Sequence, residues 1–271
     1  MLYLYVNFYI KSMFMNYSII FLHIYINIDK AEVIFMSFLD RKIHATWNNF
    51  ITENIKSELD NISASINDYY PEDENVLRFM NNDLSSIKYI IVGMEPYCTE
   101  FEKNGVVYPE ATGRSFEVRS LRDKSWNDKF RQSSLRNIIK TIYYNETGKL
   151  ISMEELREKI NNGEFKIAAP GIWFDNLEKQ GVLFLNATLT VKPHQVDSHT
   201  KFWTSFMNEL IIYISKVSSP VWLLWGNKAI ERVSPLISDE FIIKASHPRV
   251  NAFCFENCFK ETIGIDWTGM R

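Results

Sequence analysis

A three-layer α/β/α fold, with a short and mainly parallel central sheet, is what the sequence predicts. Apolar runs of strand length alternate with longer stretches of helical periodicity. The runs are continuous and not alternating, as in strands covered on both faces. Turns rich in Gly, Pro and polar residues follow those runs directly. With 271 residues, 46% of them hydrophobic, the chain can bury one sizeable core.

Taken in order, Ile43, Trp47, Phe50 and Ile51 recur at helical spacing, and Ile55 and Leu59 extend the stripe. They predict a helix within Phe38–Ile62. A second helix is expected over Glu74–Asn82, after Pro71 and an acidic cluster. Lys88–Gly93 reads as a strand, after which Gly and Pro turn the chain and leave Glu95 and Tyr97 at its carboxyl end. Ser133 and Ser134 open a helix to Tyr144, with a hydroxyl suited to its cap. Met153–Asn161 predicts a short charged helix, Val182–Val191 a strand, Phe202–Lys216 a helix, and Val221–Trp225 and Phe241–Ala245 two more strands. Ligands of open sheets bind beyond the carboxyl ends of the strands. Residues 93–97, 192–199, 226–227 and 247–248 all fall there.

The formal net charge of −3 does not announce a nucleic-acid binder, but its distribution is uneven. Residues 114–140 hold eight Lys/Arg against three acids, whereas residues 52–74 hold seven acids and Lys56 alone as a base. A basic flank suits a phosphate backbone; a solvated surface is the ordinary alternative. Cys98, Cys254 and Cys258 match no zinc or cluster spacing and no disulfide framework. The expectation is a reducing, intracellular, cytoplasmic setting without a metal and without secretion.

Residues 1–35 differ from the remainder. The apolar run Met13–Ile28 is broken by Asn16, Tyr17, His23 and Asn27, which is short for a bilayer span, and no small-residue cleavage site follows it. We expect an upstream extension over 1–35 and a domain over 36–271, with Met36 as the first native residue. A membrane anchor is the alternative.

The most informative segment is Gly181–His199. Its apolar run delivers one carboxamide, Asn186, which must either satisfy itself in the core or face a pocket. An amide offers a donor and an acceptor side by side, the pattern that reads a base edge. The chain also carries GMEPY (Gly93–Tyr97), GRSFEV (Gly113–Val118), LLWGN (Leu223–Asn227) and SHP (Ser246–Pro248). Together, and in this order, these motifs resemble the uracil-DNA glycosylase family from about Phe38 to Trp267.

The resemblance implies a cofactor-free, monofunctional glycosylase, expected to be monomeric, acting on uracil in single- or double-stranded DNA. Asn186 would pair with uracil, Phe116 stack on the flipped base and Tyr97 refuse a thymine methyl, with Met94 in the same substrate-binding motif. His247 would stabilise the departing base and Glu95 orient the attacking water. Ser134, Gly226 and Asn227 fall on DNA-backbone contacts, with Arg249 and Val250 where the family inserts a wedge. Outside these motifs, a strand Asn, a core Phe, a packing Tyr and a loop His are the ordinary readings. His194 and His199 are assigned no catalytic role, and Gln195, Ser198 and His199 would brace their loop or touch phosphate.

Two departures stand out. The family reads Gly-Gln-Asp-Pro-Tyr-His where this chain has Gly93-Met94-Glu95-Pro96-Tyr97-Cys98, and Ser-Pro-Leu where it has Arg249-Val250-Asn251. The stretches 99–112 and 143–171 also look longer than is usual. The rival reading is a catalytically weak relative that binds DNA or a replication partner through the same surface; a third is a glycosylase for another damaged base.

Overall fold

The structure, a computed structural model, describes Phe38, Leu39 and residues 42–271. The expectations for residues 1–35 and Met36 lie outside the described residues. Among those described, seven α-helices and six strands follow in order: α1 (Glu53–Ser65), α2 (Asp73–Val76), β1 (Tyr89–Gly93), β2 (Glu100–Lys103), β3 (Val106–Pro109), α3 (Ser133–Thr147), α4 (Met153–Asn161), α5 (Pro170–Lys179), β4 (Val182–Asn186), α6 (Thr200–Val217), β5 (Val221–Trp225), α7 (Asn227–Val233) and β6 (Ile242–Ala245).

Four strands form one sheet in the order β4-β1-β5-β6, with every pairing parallel. Strand parity sorts its side chains into two cores. Ile90, Val92, Leu183, Leu185, Trp222 and Leu224 face one way and pack with Leu59 of α1 and Trp203 and Phe206 of α6. Tyr89, Ile91, Val182, Phe184, Leu223 and Trp225 face the other way, against Ile138 and Ile139 of α3, Leu156 of α4 and Trp173 and Phe174 of α5. The predicted three layers are present, and the continuous apolar runs have the cause assigned to them: both sheet faces are covered.

Several elements differ from the sequence expectation. The stripe from Ile43 to Leu59 is not one helix: Ala45–Trp47 is a 3-10 turn, and α1 begins only after Thr52, whose hydroxyl accepts from the Ile55 N–H. The expected helix at Glu74–Asn82 splits into α2 and a 3-10 turn at Arg78–Asn81. Neither Ser133 nor Ser134 caps α3; Gln132 holds that position without a side-chain cap. The regular part of β4 ends at Asn186 and not Val191: Ala187 and Thr188 still donate to the carbonyls of Gly93 and Met94 (2.8 and 2.9 Å), but Val191 bridges to Tyr70 instead. Helices α5 and α7 and the β2–β3 hairpin were not anticipated. That hairpin fills the long stretch 99–112 and is held by a Lys103–Asp123 ion pair.

Phe184 lies between Trp173 and Phe174, with ring centroids 5.9 and 4.8 Å away, two residues before Asn186. Phe184→Ala should cost ~3–5 kcal/mol of stability. Urea unfolding checks this, and a cost below about 1 kcal/mol would show that this packing does not hold β4.

Candidate active site

At the carboxyl ends of β1, β4, β5 and β6 lies an open cleft of about 1120 Å³. All eleven residues assigned to the site in the sequence line it: Met94, Glu95, Tyr97, Phe116, Ser134, Asn186, Gly226, Asn227, His247, Arg249 and Val250. They come from six chain segments that only the parallel sheet brings to one edge.

Its floor is built by strand register. Gly93 of β1 pairs with Asn186 of β4, and by parity both face the side of Ile91 and Phe184. A Cβ on Gly93 would stand 2.6 Å from Asn186 Oδ1 and 2.7 Å from Ser115 Cβ. The missing side chain is therefore the space that the Asn186 amide occupies. Asn186 is 2% exposed, and its Oδ1 has no hydrogen-bond partner. An unmet buried acceptor costs ~1–3 kcal/mol, so a donor that reached this oxygen would relieve that cost.

Phe116 enters the cleft from a turn with φ +63, a left-handed conformation rare for an aromatic residue. The turn is anchored on both sides. Ser115 N–H donates to Phe184 O (3.4 Å) and Ser115 Oγ–H to Ile91 O (3.2 Å). Below it, buried Arg114 pairs with Glu117 (3.2 Å), Asp175 (2.7 Å) and Glu178, and Arg122 also reaches Glu117. Burial alone would lower the Arg114 pKa, but Glu178, Glu117 and Asp175 outweigh it and hold the guanidinium above its ordinary value. Trp225 backs Phe116, with ring centroids 5.6 Å apart.

This network corrects one expectation. Arg114, Arg119 and Arg122 were counted in a DNA-facing basic flank. Instead Arg119 pairs with Glu72, and the other two serve the turn beneath Phe116. Arg131, exposed and lining the cleft, remains from that group, with Lys124 and Lys129 exposed beyond it.

Glu95 is half-buried, and its Oε2 accepts from the Asp197 N–H at 2.8 Å. Burial raises its pKa, with the Asp197 carboxylate adding to the rise; the Asp197 N–H and Lys228 oppose it. Tyr97 packs against the second core, and burial and then Glu110 push its phenol well above the ordinary range. Glu110 is itself held by Ser120 N–H and Oγ–H (2.9 and 2.7 Å).

His247 sits on the β5–α7 turn, because Gly226, at φ +92, has no Cβ; one there would lie 2.7 Å from His247 Cβ. Its Nδ1 accepts from the Arg249 N–H (3.0 Å), so the neutral ring carries its proton on Nε2. Partial burial, and then the Arg249 charge, lower its pKa.

The remaining loop histidines make contacts within the fold. His199 Nδ1 lies 3.0 Å from Thr190 Oγ1, which accepts from Trp203 Nε1 (2.7 Å), and His194 reaches Glu100 at 3.2 Å. Ser198 Oγ accepts from the Lys192 N–H. Among the described residues, no group of three or more His, Cys, Asp or Glu is arranged to hold a metal, and no helix is long and apolar enough to cross a membrane. The supports that sequence reasoning missed are the Asp197 amide, Glu110 and Asn137; none belongs to a motif, and the Asp197 and Asn137 contacts span more than a hundred residues.

The chain matches no family model. It is 33% identical over 183 residues to the uracil-DNA glycosylase of Lachnoclostridium phytofermentans, covering 66% of this chain and 67% of that one. It is 30% identical over 215 residues to that of Francisella tularensis subsp. novicida, covering 75% and 83%. The chain belongs to the uracil-DNA glycosylase family. The crystal structure of UNG from Nitratifractor salsuginis shares the fold of this family member, with a TM-score of 0.61 at 21% identity over 80% of this chain and 88% of that one. The mimivirus uracil-DNA glycosylase shares it at a TM-score of 0.51 and 23% identity, over 75% and 63%.

Gly93→Ala tests the floor. The added methyl must displace both the Asn186 amide and Ser115 Cβ, so excision should fall ~100-fold or more and the unfolding midpoint should fall with it. Wild-type rates in Gly93→Ala would show that Asn186 does not depend on this space.

Proposed function

We propose that this cleft excises uracil from DNA by hydrolysing the N-glycosidic bond, with the roles below. The observation that carries the reading is the unpartnered, buried Asn186 Oδ1 at the floor of a cleft that also holds Phe116, Glu95 and His247. A base inside a duplex is out of reach, so it must be flipped into a pocket.

In that pocket Asn186 Oδ1 accepts from the uracil ring N–H and its Nδ2 donates to a uracil carbonyl. Cytosine presents the reverse pattern at its exocyclic position and leaves the amide mispaired. Phe116 stacks on the base, an interaction worth ~1–3 kcal/mol, and Tyr97 occupies the space of a thymine methyl. Cleavage leaves electron density on the base and positive charge on the sugar. His247, neutral and protonated on Nε2, donates to the anionic oxygen of the leaving base. Glu95 accepts a proton from the attacking water and faces the sugar cation with its charge. Met94 lines the substrate side of the cleft, whereas Ser134, Gly226 and Asn227 position phosphates and Arg249 and Val250 enter the gap left by the base. No metal or cofactor takes part, and the enzyme acts as a monomer inside the cell.

The direct assay is release of free uracil from labelled single- and double-stranded DNA. No release at high enzyme concentration would sink the reading. Asn186→Asp presents a different donor and acceptor pattern and should cut uracil release sharply.

Glu95 gives a signed pH dependence. Its active form is the anion and its pKa is raised, so the rate should climb with pH along a limb lying above the ordinary carboxylate range. His247 works as the neutral ring, so kcat/KM should not decline as pH passes ~6.5, the ordinary imidazole value. Glu95→Gln should lower kcat ~100-fold and abolish the limb. A carboxylate whose folded pKa is raised stabilises the fold below its unfolded pKa and loses that contribution as pH rises through the folded one. Glu95→Gln should accordingly unfold at a higher temperature than wild type at pH ~7. Full activity in this variant would assign the role to another residue, and a lower midpoint would show that the charged form is not the strained one.

A further inference from the structure

Helix α3 carries three buried polar side chains spaced four residues apart, Asn137, Thr141 and Asn145, on a face that packing would otherwise make apolar. All three reach the segment that follows His247. Asn137 Nδ2 donates to Pro248 O (2.8 Å) and Val250 O (3.4 Å). Thr141 Oγ1 lies 3.2 Å from Phe253 O, and Asn145 Nδ2 donates to Glu256 O at 2.8 Å. Asn145 Oδ1 also accepts from the Lys260 N–H (3.0 Å). Residues 246–260 belong to no strand, and this stripe adds to their local turn bonds, Phe253 N–H to Val250 O (3.2 Å) and Glu256 N–H to Phe253 O (3.1 Å), in satisfying their carbonyls.

We propose that Asn137 is a positioning residue for excision from duplex DNA. Its amide holds the carbonyls on either side of Arg249, and so fixes the Arg249–Val250 tip against α3. The tip's other bonds are local: Arg249 and Val250 are exposed, the Val250 N–H returns to His247 O (3.0 Å), the Arg249 N–H to His247 Nδ1, and Val250 O also accepts from the Phe253 N–H (3.2 Å). The same helix begins at Ser133 and Ser134 in the cleft wall, one turn before Asn137. One rigid element thus sets the spacing between a backbone contact and the inserted tip. This inference rests on the reading of His247 and Val250 given above.

A flipped base leaves a gap in a duplex and none in a single strand, so losing the tip should matter mainly for duplex. The test is single-turnover uracil release by the full chain from duplex and from single-stranded DNA, for Asn137→Leu, Asn137→Asp, Thr141→Val and Val250→Ala. Asn137→Asp keeps the shape and loses both donors, which covers the case in which Asn137→Leu fails to fold. The readout is the duplex-to-single-strand rate ratio, which partial unfolding leaves unchanged because it lowers both rates alike. The expected result is a fall in that ratio of ~10-fold or more for both Asn137 variants and for Val250→Ala, with the ratio kept in Thr141→Val. An unchanged ratio in the Asn137 variants beside a fall in Val250→Ala overturns the coupling alone. An unchanged ratio in Val250→Ala overturns the insertion reading, and the coupling with it. An equal fall in Thr141→Val makes the whole stripe mere scaffolding and also overturns the proposal.

Discussion

One close approach governs this molecule: the Asn186 amide occupies the volume that a side chain on Gly93 would need. It exists because β1 and β4 are adjacent, parallel and in a register that ends both strands together. Any slip of one residue would turn Asn186 to the opposite sheet face, into the core of Leu183 and Leu185. The register is therefore specified by the cores, and the polar atom rides on it. Phe184 and Ile91 beneath, and Ser115 above through its bonds to their carbonyls, tie the turn bearing Phe116 to the same two strands. Asn186 and Phe116 thus share one support.

The turn over that floor carries a cost. Phe116 at positive φ represents strain of ~1–3 kcal/mol, and the buried Glu117 keeps one oxygen, Oε2, without a partner. Burying Arg114, Glu117 and their partners is not a route to stability, since a well-packed apolar cluster of that volume does as well. What the ion pairs provide is direction. Arg114 and Arg122 converge on Glu117 and Asp175, and so lock the residues on both sides of Phe116 to α5. The stacking role proposed for Phe116 requires a ring held at a fixed angle, and these pairs supply that.

Much of this was legible in the sequence, and the gaps have physical causes. β5 and α4 match their expected limits, because a compact apolar run and a Ser152 capping box are local signals. The stripe from Ile43 to Leu59 misled because its spacing reports burial on one side, and a 3-10 turn with irregular chain buries Trp47 and Phe50 as well as a helix does. Helix α5 was missed although Pro170 opens it at a favoured position. The cleft residues were legible because motif residues cluster at strand ends. Their supports were not, since the Asp197 amide lies 102 residues from Glu95 and the carbonyls held by Asn137 lie 111 and 113 residues away. The basic flank was misread for the same reason: charge counted along a chain does not reveal which acids the fold brings to meet it.

The substituted carboxylate shows how a one-methylene change is absorbed. An Asp at position 95 would stop short of the Asp197 N–H that Glu95 reaches at 2.8 Å. That amide is presented by a residue at φ +58, in a loop pinned to the other side of the motif by the His194 N–H on Cys98 O (2.8 Å) and by His194 on Glu100. The loop is thereby tied to the hairpin that carries Glu100, and its Asp197 amide anchors one oxygen of the longer side chain. A carboxylate gripped at one oxygen keeps its direction, which is what the role proposed for it requires. On this geometry the longer side chain belongs with its loop, and its neighbours are arranged to hold it.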